Sequence, residues 1–430
     1  MNLAQALVKW LTPGIGVKRW ILLLLLGVGL VSWSLASGML IVAGTEVRSF
    51  LIFGWVQSIL VVMIGFFLIG FSLLKLARNI LAPYRRLHYE KPVIDVINIH
   101  RRRQKGTKVV AIGGGTGLPS VLKGMKVFTS NITTVVTVAD DGGSSGRLRR
   151  DLGVPPPGDL RNNIAALADD ENLMTQLFQY RFQDGELGGH AFGNLFISAL
   201  SGVTGSLESA LIETERVLNI SGRVFPATLM DVSLSAQVRV NGTRQTVNGE
   251  SSITAAGGQI EEISLVPNDV EAYQGSVQAI LDAEIVVIGP GSLFTSILPN
   301  LLVPGIAKAL RATRAYKIYI CNIAIQPGET TDFTVAEHVL TLEQHIGRGV
   351  FQAVLANNAY PTANAGENTR YVQPAPDDHE IMQRYVVRYL DLVDVERPWR
   401  HDPHKLVAAI LPMNDAERFA GMAAQPVAPF

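Results

Sequence analysis

The chain has 430 residues, 48% of them hydrophobic, and its 37 basic residues balance 37 acidic ones. This balance argues against nucleic acid as the main partner, because binding a duplex needs an excess of Lys and Arg to neutralise phosphates. Cys321 is the only cysteine, so no disulfide can form within the chain, which fits a reducing compartment.

Two uncharged apolar runs, residues 20–44 and 51–74, lie near the start of the chain. Each reaches the roughly 20 residues that a membrane-spanning helix needs. We therefore predict a two-helix transmembrane hairpin within residues 1–80. A cleaved signal peptide is disfavoured by the length of the first run and by the second run that follows at once. A buried soluble hairpin is disfavoured because neither run has a polar stripe.

The charged residues beside these runs predict the orientation of the hairpin. Basic residues lie outside both runs, at Lys9, Lys18, Arg19, Lys75, Arg78, Arg85 and Arg86. The positive-inside rule then places both ends in the cytoplasm, so we expect a multi-pass cell-membrane protein with a cytoplasmic C-terminal domain. Residues 81–106, with Arg101, Arg102, Arg103 and Lys105, form a basic linker. It either lies at the lipid surface or is a solvated spacer.

Residues 107–414 alternate strand, turn and helix patterns. Short apolar strands are predicted at residues 108–112, 133–140, 284–289, 317–323 and 353–357, with helical patterns between them, such as residues 162–182 and 296–313. This alternation is typical of an α/β fold with a mostly parallel sheet covered by helices on both faces.

One stretch, Ser233 to Ile253, alternates with period two instead. Its Asn241-Gly242 and Asn248-Gly249 pairs predict turns of a small antiparallel insertion. The final residues, 415–430, are predicted to form a flexible tail.

A glycine turn, Gly113-Gly114-Gly115-Thr116-Gly117, joins the first of these strands to a helical pattern. Such a turn lets the backbone approach a phosphate at a helix N-terminus. It departs from the dinucleotide fingerprint, because Leu118 stands where the last glycine belongs, and it is not a Walker loop. A tight turn without a ligand is the alternative.

A second glycine turn, Gly289-Pro290-Gly291-Ser292, follows the strand at 284–289. Thr295 and Ser296 come next, where they either cap a helix or bond a phosphate oxygen. Both turns belong at the carboxyl ends of strands, where open α/β sheets bind ligands. Together they predict a phosphorylated ligand.

An acidic loop ends the second strand at Asp140 and Asp141. Asp140 lies about 20 residues beyond the first turn, where dinucleotide folds place a carboxylate that binds ribose. The other carboxylate would hold magnesium or act as a base. An Asp-Gly turn is the alternative. It does not readily explain the polar residues that follow, which suit phosphate: Gly142, Ser144, Ser145 and Arg147.

Further polar residues precede two predicted helices. Asp159 is a candidate N-cap, and Arg161 and Asn162 would face the crevice. His190 is either structural or an acid, base or phosphate donor, and Asn194 would bond a base or sugar. The sequence contains no His/Cys cluster with metal-ligand spacing and no Gly-x-Ser-x-Gly elbow.

These segments together resemble the YvcK-like family of gluconeogenesis factors, which is related to the CofD 2-phospho-L-lactate transferases. The matching strings include VVAIGGGTGLPSVLKGMK, VTVADDGGSSGRLRRDLGVPPPGDLRNN, GHAFGNLF, VVIGPGSLFTSILPNLLVPGIAKAL and RHDPHKL. The resemblance implies a modified Rossmann-like fold, binding of UDP-sugars such as UDP-N-acetylglucosamine, and roles in carbon metabolism, cell shape and cell-wall synthesis. By similarity, Tyr371 and Arg400 would help to hold the nucleotide-sugar, and a homodimer is expected.

Three hypotheses follow. The leading one is a membrane-anchored regulatory protein that binds a UDP-sugar and reports to cell-wall synthesis proteins. The second is a CofD-like, magnesium-dependent transferase with Asp140, Asp141 and His190 as candidate catalytic residues. The third, an NAD-linked oxidoreductase, is disfavoured by the broken fingerprint.

Overall fold

A computed structural model describes residues 18–42, 55–85, 103–168, 172–365, 369–411 and 413. The chain divides into two compact units, residues 1–101 and residues 102–430. The segment that joins the two apolar runs, at 45–50, most of the predicted linker and the predicted tail at 415–430 lie outside the described residues.

The first unit contains two long helices, α1 (Lys18–Val42) and α2 (Trp55–Arg85). Within them, residues 19–39 and 56–77 are long and apolar enough to cross a membrane. The helices pack closely, as shown at Gly27, where an added Cβ would lie 3.0 Å from the carbonyl oxygen of Gly65. Small residues allow this approach of two backbones. The second helix continues beyond the predicted span and ends at Arg85.

The second unit is built on a seven-stranded parallel sheet. Its strands are β1 (Val109–Gly113), β2 (Ile132–Val136), β3 (Arg223–Pro226), β7 (Ile285–Ile288), β8 (Tyr316–Ile320), β9 (Ala353–Asn357) and β10 (Val386–Leu390). Every residue of β1, β7, β8 and β9 is buried, which explains their unbroken apolar sequences.

The order of the strands, β10-β9-β8-β7-β1-β2-β3, creates a switch point. From β1 the chain proceeds outward through β2 and β3, then returns to the other side of β1 and proceeds through β7 to β10. Ligands of open α/β sheets bind in the crevice at such a point, beyond the carboxyl ends of the strands. Here that crevice lies between β1 and β7, which the two glycine turns follow.

Helices connect the strands and cover both faces of the sheet. They are α3 (Leu118–Met125), α4 (Gly143–Leu152), α5 (Gly158–Leu167), α6 (Leu173–Gln179), α7 (Phe192–Thr204), α8 (Leu207–Leu218), α10 (Gln274–Asp282), α11 (Leu298–Leu301), α12 (Pro304–Ala312), α13 (Val335–Ile346) and α14 (Glu380–Arg384). A π-helical turn, Leu293–Ile297, precedes α11. The helical pattern predicted at 296–313 therefore forms three short pieces, two of which have proline in their first turn.

The predicted insertion forms a second, antiparallel sheet. It comprises β4 (Ser233–Val240), β5 (Thr243–Asn248) and β6 (Gln259–Val266), in the order β5-β4-β6. Asn241 and Gly242 have φ of 50° and 81°, as the predicted hairpin turn requires. The prediction of a second such turn at Asn248-Gly249 is wrong, because this pair leads into a helix, α9 (Glu250–Ala255).

Candidate functional site

The two glycine turns touch each other at the switch point. The amide of Gly289 donates to the carbonyl oxygen of Ile112, 2.8 Å away. A Cβ added at Gly117 would lie 2.8 Å from the carbonyl oxygen of Pro290 and 3.1 Å from the Cα of Gly291. Side chains at this contact would separate the two backbones, so the glycines are required for the turns to pack together.

Asn300, buried on α11, ties the first glycine turn to the π-helical turn that follows the second one. Its Nδ2 donates to the carbonyl oxygens of Gly113, at 2.9 Å, and Ser296, at 2.7 Å. The carbonyl oxygens of Gly113 and Ser296 thus accept hydrogen bonds from the same buried amide nitrogen.

Replacing this residue, Asn300→Ala, should lower the free energy of unfolding by about 1–3 kcal/mol. The Ser296 carbonyl oxygen loses this bond, and that of Gly113 keeps only the longer bond from the Thr137 amide, at 3.4 Å. Denaturant unfolding of the full chain in detergent, followed by tryptophan fluorescence, measures the change. The exposed Asn358 donates to Tyr389 at 3.3 Å and provides the control. Asn358→Ala should change the stability by less than about 0.5 kcal/mol. Equal effects of the two variants would contradict this role of Asn300.

A cavity of about 650 Å³ opens beside the paired turns. Its volume is in the range of small-molecule sites. Thr116 and Ser292 both line it, so the two turns share one pocket. Its lining includes Gly115, Thr116, Gly117, Ser120, Thr254, Gly291, Ser292, Thr295, Ser296, Asn322, Glu329, Trp399 and Arg400. Among the predicted residues of the two glycine turns, Gly113, Gly114 and Gly289 lie outside this lining.

The first turn offers backbone donors to the cavity. Gly117 is the N-cap of α3, and no side chain caps this end of the helix. Within the described part of the chain, the amides of Thr116 and Gly117 donate to no protein acceptor. Uncapped amides at the positive end of a helix dipole are suited to an anion.

The hydroxyl groups of the second turn are engaged within the protein. Ser292 accepts the amide of Thr295 at 3.1 Å and caps the π-helical turn, so the cap is not Thr295 or Ser296, which lie inside that turn. Its hydroxyl also donates to Glu329, which is 8% exposed. Burial raises the pKa of Glu329, and its bonds with Ser292, the Phe294 amide and Thr295 oppose that rise.

Asp159 stabilises the first turn through a hydrogen bond with its backbone. The prediction that it is an N-cap is wrong, since α5 begins at Gly158 with Pro157 as N-cap. Its carboxylate instead accepts the amide of Gly115, and a Cβ on Gly114 would clash with Oδ2. Burial and nearby Asp140 raise the pKa of Asp159 to about 6, although the Gly115 bond and Arg161 lower it.

Asp140 and Asp141 point to different structures. Asp140 accepts the amide of Gly142 at 2.8 Å and a bond from Ser145, while burial raises its pKa. Asp141 accepts the amide of Ser251 at 2.9 Å, which attaches α9 of the insertion to the acidic loop. Among the described residues, no group of three or more His, Cys, Asp or Glu side chains is arranged to hold a metal ion. The magnesium at these carboxylates stays a prediction.

Glu250, at the start of α9, is a site residue that the sequence reasoning missed. Burial, Asp140 and Asp159 raise its pKa to about 9, and a hydrogen bond with the Thr295 side chain opposes the rise. With its pKa raised to about 9, Glu250 is protonated at neutral pH.

Several predicted residues lie away from the cavity. Ser144, His190 and Asn194 form their own hydrogen-bonded group, and Arg147 donates to the carbonyl oxygen of Gly188. Arg161 donates to Asn162 Oδ1 at 2.6 Å.

The two C-terminal candidates differ in position. Arg400 lines the cavity together with Trp399. Tyr371 donates its hydroxyl to the carbonyl oxygen of Pro361 at 2.6 Å and pairs with Ala324, a lining residue. Tyr371 therefore lies directly behind the lining.

Comparisons with known proteins agree with this architecture. The model of the 2-phospho-L-lactate transferase CofD family matches residues 109–391. A member of the upf0052 family from Bacillus halodurans has a solved structure with a TM-score of 0.67 and 40% identity, covering 71% of this chain and 99% of its own.

Relatives in several bacteria carry the name gluconeogenesis factor. The one from Bacillus subtilis is 41% identical over 310 residues, which cover 71% of this chain and 97% of its own. A relative from Nostoc sp. that is named for the same factor is 42% identical over 426 residues, covering 94% of this chain and 91% of its own. The chain belongs to the CofD family, among its members named gluconeogenesis factors.

Proposed function

We propose that this gluconeogenesis factor homologue binds a UDP-sugar, such as UDP-N-acetylglucosamine, in the cavity beside the two glycine turns. The observation that carries the proposal is the contact of both turns at the switch point, with uncapped amides facing one pocket. A diphosphate is the ligand group that such amides recognise best.

The opposite wall of the cavity suits the rest of a nucleotide-sugar. Arg400 presents a guanidinium group for the second phosphate or a sugar hydroxyl. Trp399, which is 44% exposed, offers a ring face on which a uracil ring can stack. Asn322 contributes an amide to the lining, and its Oδ1 accepts the Gly291 amide at 3.2 Å.

Anchoring of this domain to the cytoplasmic side of the cell membrane is part of the proposal. The two apolar helices supply the anchor, and the basic residues outside the apolar runs 20–44 and 51–74 supply the orientation. A regulatory protein at this location would link carbon metabolism to cell-wall synthesis and cell shape through proteins of that machinery. Contact of the basic linker with anionic lipid, and a homodimer, belong to the same proposal.

Isothermal titration calorimetry of the full chain in detergent tests the binding. UDP-N-acetylglucosamine should release or absorb heat at one site per chain. Arg400→Ala should weaken the affinity by about tenfold, the effect of one lost charge-assisted hydrogen bond. Arg216→Ala is the control, because Arg216 is 80% exposed on α8. No heat at millimolar ligand from folded protein would reject the proposal.

A transferase is the second candidate, and the carboxyl groups with raised pKa beside the first turn favour it. Asp159, Asp140 and Glu250 interact electrostatically there, and such perturbed groups cluster at catalytic sites. Incubating the full chain with UDP-N-acetylglucosamine, magnesium and cell extract separates the two functions. A new product that requires Asp141 indicates transfer, whereas binding without turnover indicates regulation.

A further inference from the structure

Three buried polar side chains meet at the N-terminus of α4. The Oγ of Ser144 lies 3.0 Å from Nδ1 of His190, and Nδ2 of Asn194 donates to the same Oγ at 3.0 Å. The three residues are 6%, 7% and 2% exposed, respectively. None of them lines the cavity beside the glycine turns. They form a polar group that the proposed function does not use.

Three arginines surround this polar group. Arg147 and Arg181 donate to the carbonyl oxygens of Gly188, at 2.9 Å, and Gly189, at 2.6 Å. Arg161 packs on Gly193, where an added Cβ would lie 2.9 Å from its Cγ. The segment that carries His190 and Asn194 is thus contacted by the guanidinium groups of Arg147 and Arg181 and by the aliphatic part of Arg161.

In the described part of the chain, none of these three arginines forms an ion pair with a carboxylate. Burial and the charge of Arg181 lower the pKa of Arg161, while Asp159 opposes this. Burial, Arg147 and Arg181 likewise lower the pKa of His190, against Asp151. Arg181 therefore lies within electrostatic reach of Arg161 and His190, and Arg147 within reach of His190.

Two polar atoms in this region lack partners. The Oδ1 of Asn194 and the Nε of Arg161 are buried, and neither has a hydrogen-bond partner among the described residues. Buried polar atoms in native proteins are nearly always satisfied. The N-terminus of α4, a helix of ten residues, also has no side-chain cap. One buried acceptor and one buried donor without partners thus lie in the region of an uncapped helix N-terminus, whose dipole favours an anion.

We propose that this group is a second anion site, separate from the cavity, for a small phosphomonoester that carries a neighbouring hydroxyl. The phosphate dianion would bind the guanidinium groups of Arg147, Arg161 and Arg181, which match its geometry. The hydroxyl would donate to Asn194 Oδ1. The site goes beyond the proposed binding of a UDP-sugar and gives the protein a place for a second metabolite.

Calorimetry of the full chain in detergent, with sn-glycerol 3-phosphate and inorganic phosphate as probes, tests the site. Glycerol 3-phosphate should bind about tenfold more tightly than inorganic phosphate, because only it supplies the hydroxyl. Arg181→Ala should weaken its binding by at least about tenfold. Arg181 is exposed, so this variant should remain folded.

Controls separate this site from the cavity. Arg216→Ala should bind glycerol 3-phosphate as the unaltered chain does, and Arg181→Ala should retain the affinity for UDP-N-acetylglucosamine. Asn194→Leu should remove the preference for glycerol 3-phosphate over inorganic phosphate. No heat with either probe at about 10 mM, or equal effects of Arg181→Ala and Arg216→Ala, would overturn the proposal. If UDP-N-acetylglucosamine does not bind but glycerol 3-phosphate does, the proposed ligand of the cavity is wrong and the second anion site is supported.

Discussion

Gly117→Ala should weaken the binding of UDP-N-acetylglucosamine by about 100-fold, the equivalent of two lost hydrogen bonds to a charged group. The added methyl group would meet the backbone of Pro290 at 2.8 Å and of Gly291 at 3.1 Å. Neither backbone can rotate away as a flexible side chain would, so the two turns must separate. We also expect the free energy of unfolding to fall by about 1–3 kcal/mol, the usual effect of overpacking.

Gly113→Ala is the matched control for this variant. It lies in β1, four residues earlier, and an added Cβ would make ordinary contacts of 3.5 and 3.6 Å with Leu118. The control should keep its affinity and most of its stability. Calorimetry and denaturant unfolding of both full-length variants provide the comparison. Gly117→Ala binding as tightly as Gly113→Ala would show that the contact of the turns does not form the ligand site.

The affinity for the UDP-sugar should fall as the pH rises from about 8 to 10, because Glu250 ionises in this range. Its pKa is raised to about 9, so at neutral pH the carboxyl is uncharged beside Thr295. Above that value it adds a negative charge next to Asp140, Asp159 and the anionic ligand. Glu250→Gln stays neutral and should lose this part of the pH dependence. The uracil ring of the ligand also titrates in this pH range. The test is therefore the difference in the pH dependence of affinity between the unaltered chain and Glu250→Gln.

The same residue should affect stability with a defined sign. An acid whose pKa is raised on folding stabilises the protein most below its unfolded value, near 4.5, and this contribution is lost as pH rises toward 9. Glu250→Gln should therefore be more stable than the unaltered chain at pH 8, and the two should converge near pH 4. Thermal unfolding at both pH values measures this, and equal midpoints at pH 8 would contradict the burial of a neutral Glu250.

The sequence predicted the centre of the sheet well, because those strands are buried on both faces and read as unbroken apolar runs. It missed the two edge strands. Arg223–Pro226 is short and ends in proline, and Val386–Leu390 alternates between half-buried and exposed residues. The turn at Asn248-Gly249 was misread because its local signal is that of a hairpin. A helix begins there instead, and its Ser251 amide donates to Asp141, a residue 110 positions away along the chain.

The candidate site was predictable where it depends on strand ends. Glycine turns that follow parallel strands must meet at the same edge of a sheet, so the shared pocket of Thr116 and Ser292 follows from topology. Glu250 could not be predicted, since its position depends on how the insertion folds back onto the acidic loop. Asn194 and His190 gave a polar signal, but the sequence did not show that they form a group apart from the cavity.

A structure of the full chain with UDP-N-acetylglucosamine would test the central claim most directly. We expect the diphosphate within hydrogen-bonding distance of the Thr116 and Gly117 amides, beside Gly291, with the uracil ring or sugar toward Trp399 and Arg400. A well-ordered ligand bound elsewhere, with water alone between the two turns, would contradict the account.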